Sequence, residues 1–131
     1  MSKNEDANND HLTDMEKWME SFFLDPLTSY LDQMMFRIDL YETENEIIVE
    51  ALLTDFYPAD ITIYLKEDQL IIKALKKVHL TDESPFKIRK VDFPFLIIQK
   101  EVKALFENGI LEILISKNKK GIGKNRSVSL P

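Results

Sequence analysis

From Phe36 onward the apolar positions recur at every second residue. Phe36, Ile38 and Leu40 alternate with Arg37, Asp39 and Tyr41, and after the polar turn Glu42–Glu46 the same period returns in Ile47, Val49, Ala51 and Leu53. Ile61, Ile63 and Leu65 form a third run, Leu70, Ile72 and Ala74 a fourth, and Phe86–Phe93, Val102–Glu107 and Ile110–Ile115 complete the set. Side chains on a strand alternate between two faces, so each run predicts a strand with one buried face. Short strands separated by turn residues at this spacing predict an antiparallel sandwich or barrel. The sharpest turn signal is Asn108-Gly109 between two runs. A two-residue type I′ hairpin turn needs positive φ at both positions, which Asn and Gly tolerate best.

Before Phe36 the period is that of a helix. Thr13 followed by Glu16 has the spacing of a capping box. Met15, Trp18, Met19, Phe22 and Phe23 then fall on one helical face. Asp25-Pro26 should stop this helix, because the residue before proline avoids the helical region. A second stripe, Leu27, Tyr30, Leu31 and Met34, could restart it. Such stripes serve either as ordinary core or as a sticky, partly exposed segment, and the pattern alone leaves both open. Residues 1–12 have no apolar period and are expected to lack regular structure.

The length of 131 residues suits one domain with tails. With no cysteine, disulfides, thiolate catalysis and zinc-thiolate sites are excluded together. No run approaches the ~20 apolar residues of a spanning helix, and the polar, acidic start MSKNEDANND is unlike a signal peptide. The expectation is a soluble cytoplasmic protein. The net charge of −6 is unevenly placed: residues 1–35 carry eight acids against two bases, while residues 116–131 carry Lys117, Lys119, Lys120, Lys124 and Arg126 and no acid. This basic end reads as a solvated flexible linker in preference to a nucleic-acid arm, since an acidic body repels phosphate.

No catalytic constellation can be assembled. The two histidines, His11 and His79, have no sequence neighbour at metal-ligand spacing. Glu42, Glu44 and Glu46 read as a solvated turn, Asp82-Glu83-Ser84-Pro85 as a plain loop, and the three glycines, Gly109, Gly121 and Gly123, form no phosphate loop. The chain is therefore expected to have no catalytic residue, no metal site and no cofactor.

Read in order, the strand segments resemble the α-crystallin domain of the small heat shock protein family. Ile38-Asp39-Leu40-Tyr41-Glu42-Thr43 is similar to the family's opening strand, and Asp60-Ile61-Thr62-Ile63-Tyr64-Leu65 to its Asp-Ile-x-Val strand. Arg89-Lys90-Val91-Asp92-Phe93-Pro94 resembles the Arg-x-aromatic-x-Leu-Pro segment. Ala104-Leu105-Phe106-Glu107-Asn108-Gly109-Ile110-Leu111 matches the A-x-x-x-n-G-(V/I)-L signature, and Val128-Ser129-Leu130 resembles the C-terminal I-x-I element. The Trp18-to-Pro26 stretch and the short segment Leu75–Pro85 resemble divergent members found in the spore coats of endospore-forming bacteria.

The resemblance implies an all-β, immunoglobulin-like antiparallel sandwich over residues 36–117. A partly helical arm over 1–35 precedes it, and a flexible extension over 118–131 ends in a V-x-L anchor. It implies a homo-oligomer with unfolded client proteins or coat proteins as partners, and neither nucleic acid nor membrane. The activity implied is that of an ATP-independent holdase, with a structural spore coat scaffold as the alternative; the location would be the cytoplasm or the coat. Met15, Trp18, Met19, Phe22 and Phe23 would bind clients or drive assembly, since methionine adapts to irregular surfaces and aromatics add contact area. Arg89 would be the family's buried arginine, needing a carboxylate or carbonyl partner, and Gly109 would be structural. Val128 and Leu130 would fill a groove on a neighbouring sandwich lined by Ile63, Leu65 and Leu105. The chain reads Leu53-Thr54-Asp55 where many bacterial members read Leu-Pro-Gly. The eleven residues from Leu75 to Pro85 leave little room for the strand that those members swap between subunits. That connection is expected to close locally.

Overall fold

The computed structural model describes residues 13–76 and 85–131. The seven alternating runs form strands β1 (Ile38–Glu42), β2 (Glu46–Leu52), β3 (Ile61–Lys66), β4 (Gln69–Leu75), β5 (Phe86–Asp92), β6 (Lys100–Glu107) and β7 (Ile110–Lys120), and a short β8 (Arg126–Ser127) follows. One sheet has the order β1-β2-β7-β6 and the other β5-β4-β3-β8, with every pairing antiparallel. The inward residues of both sheets meet in one core: Ile38, Leu40, Ile47, Val49 and Ala51 from one side, and Ile63, Leu65, Leu70 and Ile72 from the other, are all under 5% exposed. An all-β sandwich follows from this alternation, because a sheet hydrophobic on one face is stable only against another such face.

Asn108 and Gly109 have φ of 54° and 78°, and they join β6 to β7 with Glu107 opposite Ile110. Both residues lie in the left-handed region that a type I′ turn requires. The β4–β5 ladder runs from Gln69↔Asp92 to Leu75↔Phe86 and is extended by the Lys76 N–H donating to the Pro85 carbonyl at 2.7 Å. The rest of this connection, with His79 and Asp82–Ser84, lies outside the described residues, as do residues 1–12 with His11.

Two helices precede the sandwich, α1 (Asp14–Leu24) and α2 (Pro26–Met34). Thr13 and Glu16 form the capping box, each side chain engaging the other's backbone. Asp25 ends α1 in an extended conformation, and its carboxylate accepts from the Leu27 N–H to cap α2, whose first residue is Pro26. Proline is well placed there, since the first N–H of a helix has no intrahelical partner.

The C-terminal end differs from the sequence expectation of a flexible linker beginning at Ser116. β7 continues to Lys120, with Glu46 opposite Ser116 on one side and Lys100 opposite Lys120 on the other, beyond a bulge between Lys100 and Val102. The apolar alternation stops at Ile115 because these residues overhang the core. The backbone ladder needs no apolar side chains to continue.

Candidate functional site

The arm folds back on the sandwich. Met15, Trp18, Met19 and Phe22 pack partly buried against the core, and Trp18 lies with its ring centroid 4.9 Å from that of Phe93. Of the five arm residues expected to meet clients or other copies, four therefore face their own domain, and Phe23 remains 43% exposed. The outward apolar surface is made by the end of α1 and by the second stripe: Leu24, Leu27, Tyr30 and Met34 are exposed together with Phe23. The sequence spacing identifies both stripes but does not say which one turns inward. That depends on Phe93, far along the chain, offering a stacking partner to Trp18.

The arm is joined to β5 by an ionic node. Arg89 occupies an inward position of its strand and is 2% exposed. Its Nη1 reaches the Asp32 Oδ1 at 2.6 Å and donates to the Phe36 carbonyl at 2.7 Å. The same Asp32 oxygen accepts from the Ile38 N–H at 3.2 Å, so one carboxylate ties the end of α2 to the first strand and to β5. The Arg89 Nε makes no hydrogen bond among the described residues. Beside this node, Trp18, Phe22, Thr28, Leu31, Arg89 and Asp92 border a cleft of about 270 Å³ between the helices and β5. Thr28 is held there by donating its hydroxyl to the Phe22 carbonyl at 2.6 Å.

At the far end, the tail lies on its own sandwich. β8 pairs with β3 through Tyr64↔Ser127 and Leu65↔Arg126, and the Val128 N–H donates to the Ile63 carbonyl at 2.9 Å. Val128 and Leu130 are both half-buried against the core. They lie with Val102, Ala104 and Leu105 along a groove of about 450 Å³. The expected lining is modified in a specific way. Ile63 and Leu65 point into the core at 1% and 0% exposure, so Ile63 meets the tail through its backbone, while Leu105 faces outward at 47%.

The tail is strapped by polar contacts. Arg126 donates from Nη1 to the Ile98 carbonyl at 2.9 Å and from Nη2 to the Lys100 carbonyl at 2.8 Å. Asn125 accepts from the Glu67 N–H at 2.9 Å, and Gly121 and Gly123 donate to the carbonyls of Gln99 and Ile98. No sequence period announces these contacts, because they run from side chain to backbone across distant segments.

Glu42, in the acidic turn, pairs with Lys117 at 2.7 Å. Among the described residues there is no group of three or more His, Cys, Asp or Glu side chains placed to hold a metal ion. No helix among them is long and apolar enough to cross a membrane.

Known proteins resemble this chain in sequence and in fold. Spore coat protein M of Bacillus subtilis (strain 168) is 32% identical over 130 residues, spanning 99% of this chain and 92% of that protein. Among solved structures, the Del-C4 mutant of hsp14.1 from Sulfolobus solfatataricus P2 superposes with a TM-score of 0.56 at 24% identity, covering 78% of this chain and 95% of its own. A small heat-shock protein from Xylella fastidiosa, described as having a distinct high order structure, gives a TM-score of 0.51 at 23% identity over 62% of this chain and 84% of its own. A family model matches residues 39–130, from the first strand through the docked tail, and by that match the chain belongs to the Hsp20/alpha crystallin family.

Proposed function

We propose that the chain is a non-enzymatic structural subunit that assembles with itself into a protein layer of the spore-coat type. The observation that carries this reading is the extent of the likeness to Spore coat protein M, which spans 99% of the chain and so includes arm and tail as well as sandwich. The likeness to small heat shock protein structures supports the fold alone. Assembly would use the arm and tail that flank the β core. The two half-buried side chains Val128 and Leu130 could leave their own groove for a neighbour's. Each contributes about 1.5–3 kcal/mol at full burial before ordering costs, and such contacts add up when one assembly makes many of them.

A second reading, an ATP-independent holdase in the cytoplasm, is favoured by the exposed face of Phe23, Leu24, Leu27, Tyr30 and Met34. An apolar patch of that kind suits an unfolding client. Met15, Trp18, Met19 and Phe22 would serve it as well only after leaving the sandwich.

Mixing the full chain with a heat-labile reporter enzyme separates the two. Growth of the chain into sheets or fibres, with no suppression of reporter scattering, is the expected result. Suppressed scattering with finite particles would overturn the scaffold reading in favour of the holdase.

A further inference from the structure

The outward face of the arm is apolar in the middle and acidic beside it. Glu16 and Glu20 stand one helical turn apart, and the exposed Glu20 is one turn from the exposed Phe23 and Leu24, with the exposed Lys17 on the same side of α1. Leu27, Tyr30 and Met34 on α2 are exposed as well, and the five apolar residues are between 43% and 73% exposed. Of the charges on residues 13–35, Asp14, Glu16, Glu20, Asp25 and Asp32 are acidic and Lys17 is the single base.

The opposite chemistry sits at the end of β7. Lys119, Lys120 and Lys124 are exposed around the turn that follows the strand, with Ile122 69% exposed at its tip. Lys117 and Arg126 are already engaged, by Glu42 and by backbone carbonyls. The three exposed lysines belong to none of the ion pairs among the described residues. The turn is held in place by the hydrogen bonds from Gly121, Gly123 and Arg126 to residues 98–100, so it presents its charges on a fixed support.

We infer that the acidic, apolar face of the arm is a docking surface for the basic turn of a second copy of the same chain, with Ile122 as the apolar contact. Charge complementarity selects this occupant. The chain carries a net charge of −6, so copies meeting at random repel, and setting the arm, with five acids against one base over residues 13–35, against the basic turn opposes that repulsion. Each copy offers one arm and one turn on different patches, so the contact is head-to-tail. Contacts of that type propagate into open chains or close into rings. The inference rests on the self-assembly reading and adds its orientation.

A charge-swap mixing experiment on the full chain tests it. One variant carries Lys119→Glu, Lys120→Glu and Lys124→Glu, and the other Glu16→Lys and Glu20→Lys. Circular dichroism and a melting curve check that both are folded. At low salt each variant alone is expected to show a several-fold lower weight-average mass than the wild type by light scattering. An equimolar mixture should return to the wild-type range, because arm and turn are again opposite in charge across the two chains. In about 1 M salt, where the screening length falls to about 3 Å, the wild type should lose its advantage over the variants. If wild type assembles while the variants keep its size, or the mixture stays as small as its components, the head-to-tail contact is wrong and self-assembly proceeds by another surface. If the wild type itself does not assemble, the self-assembly reading fails first.

Discussion

Replacing Asp32 by alanine is expected to lower folding stability by about 3 kcal/mol, the lower end of the range for breaking a buried ion pair. The Arg89 side chain is 1% exposed, and with Asp32 gone its guanidinium would keep the Phe36 carbonyl as its remaining partner. An uncompensated buried charge is costly because the interior does not replace its hydration. The estimate sits at the lower end because the Asp32 side chain is 28% exposed, which lets water reach the orphaned group. The same change removes the acceptor of the Ile38 N–H, so the junction between arm and sandwich should loosen together with β5. The double variant Arg89→Met with Asp32→Leu should recover most of the loss, since an apolar pair of similar volume removes the charge and its penalty together. Denaturant midpoints measure both. A loss under about 1 kcal/mol for Asp32→Ala would mean that the node does not hold the arm in solution.

Gly109→Ala is expected to cost about 2–4 kcal/mol, from two sources that can be separated. Its φ of +78° is disfavoured for any residue with a Cβ, by about 1–2 kcal/mol. In addition, the added Cβ would stand 2.7 Å from the Cα of Thr54, and displacing backbone in a packed region adds about 1–3 kcal/mol. The contact arises because the β6–β7 turn folds against the corner after β2, where the Leu53 N–H donates to the Gly109 carbonyl at 2.7 Å. Gly123→Ala is the control: its φ is +72°, but nothing lies within 4 Å of the new Cβ, so it should show the conformational cost alone. Equal losses for the two variants, by calorimetry, would argue against the Thr54 contact.

Strand period, turn chemistry and capping signals are legible in the sequence, because each is a local property of a few neighbouring residues. Thr13 with Glu16, Asp25-Pro26 and Asn108-Gly109 each dictate a backbone conformation within four residues. What depends on distant partners was not legible. The run Phe86–Phe93 marks a strand but not its inward phase, which is taken by Arg89, Val91 and Phe93 while Phe86 and Ile88 are exposed. A buried arginine displaces the apolar period by one residue, and its partner Asp32 is 57 positions away. The tail is the same kind of case. Lys117–Lys120 look like linker by composition, but they complete a ladder with β6, and Arg126 spends its guanidinium on carbonyls that no sequence pattern marks. The spacing of Val128 and Leu130 marks an apolar pair expected on a neighbouring sandwich, whereas here the tail pairs with the same chain's β3.

Self-association of the intact chain is the central claim, and sedimentation velocity over a wide concentration range tests it most directly. A weight-average sedimentation coefficient that climbs with concentration well past that of a dimer, at low salt, is the result expected from a subunit with an exposed apolar arm face and a basic turn. A single boundary with the mass of one chain at every concentration would contradict it.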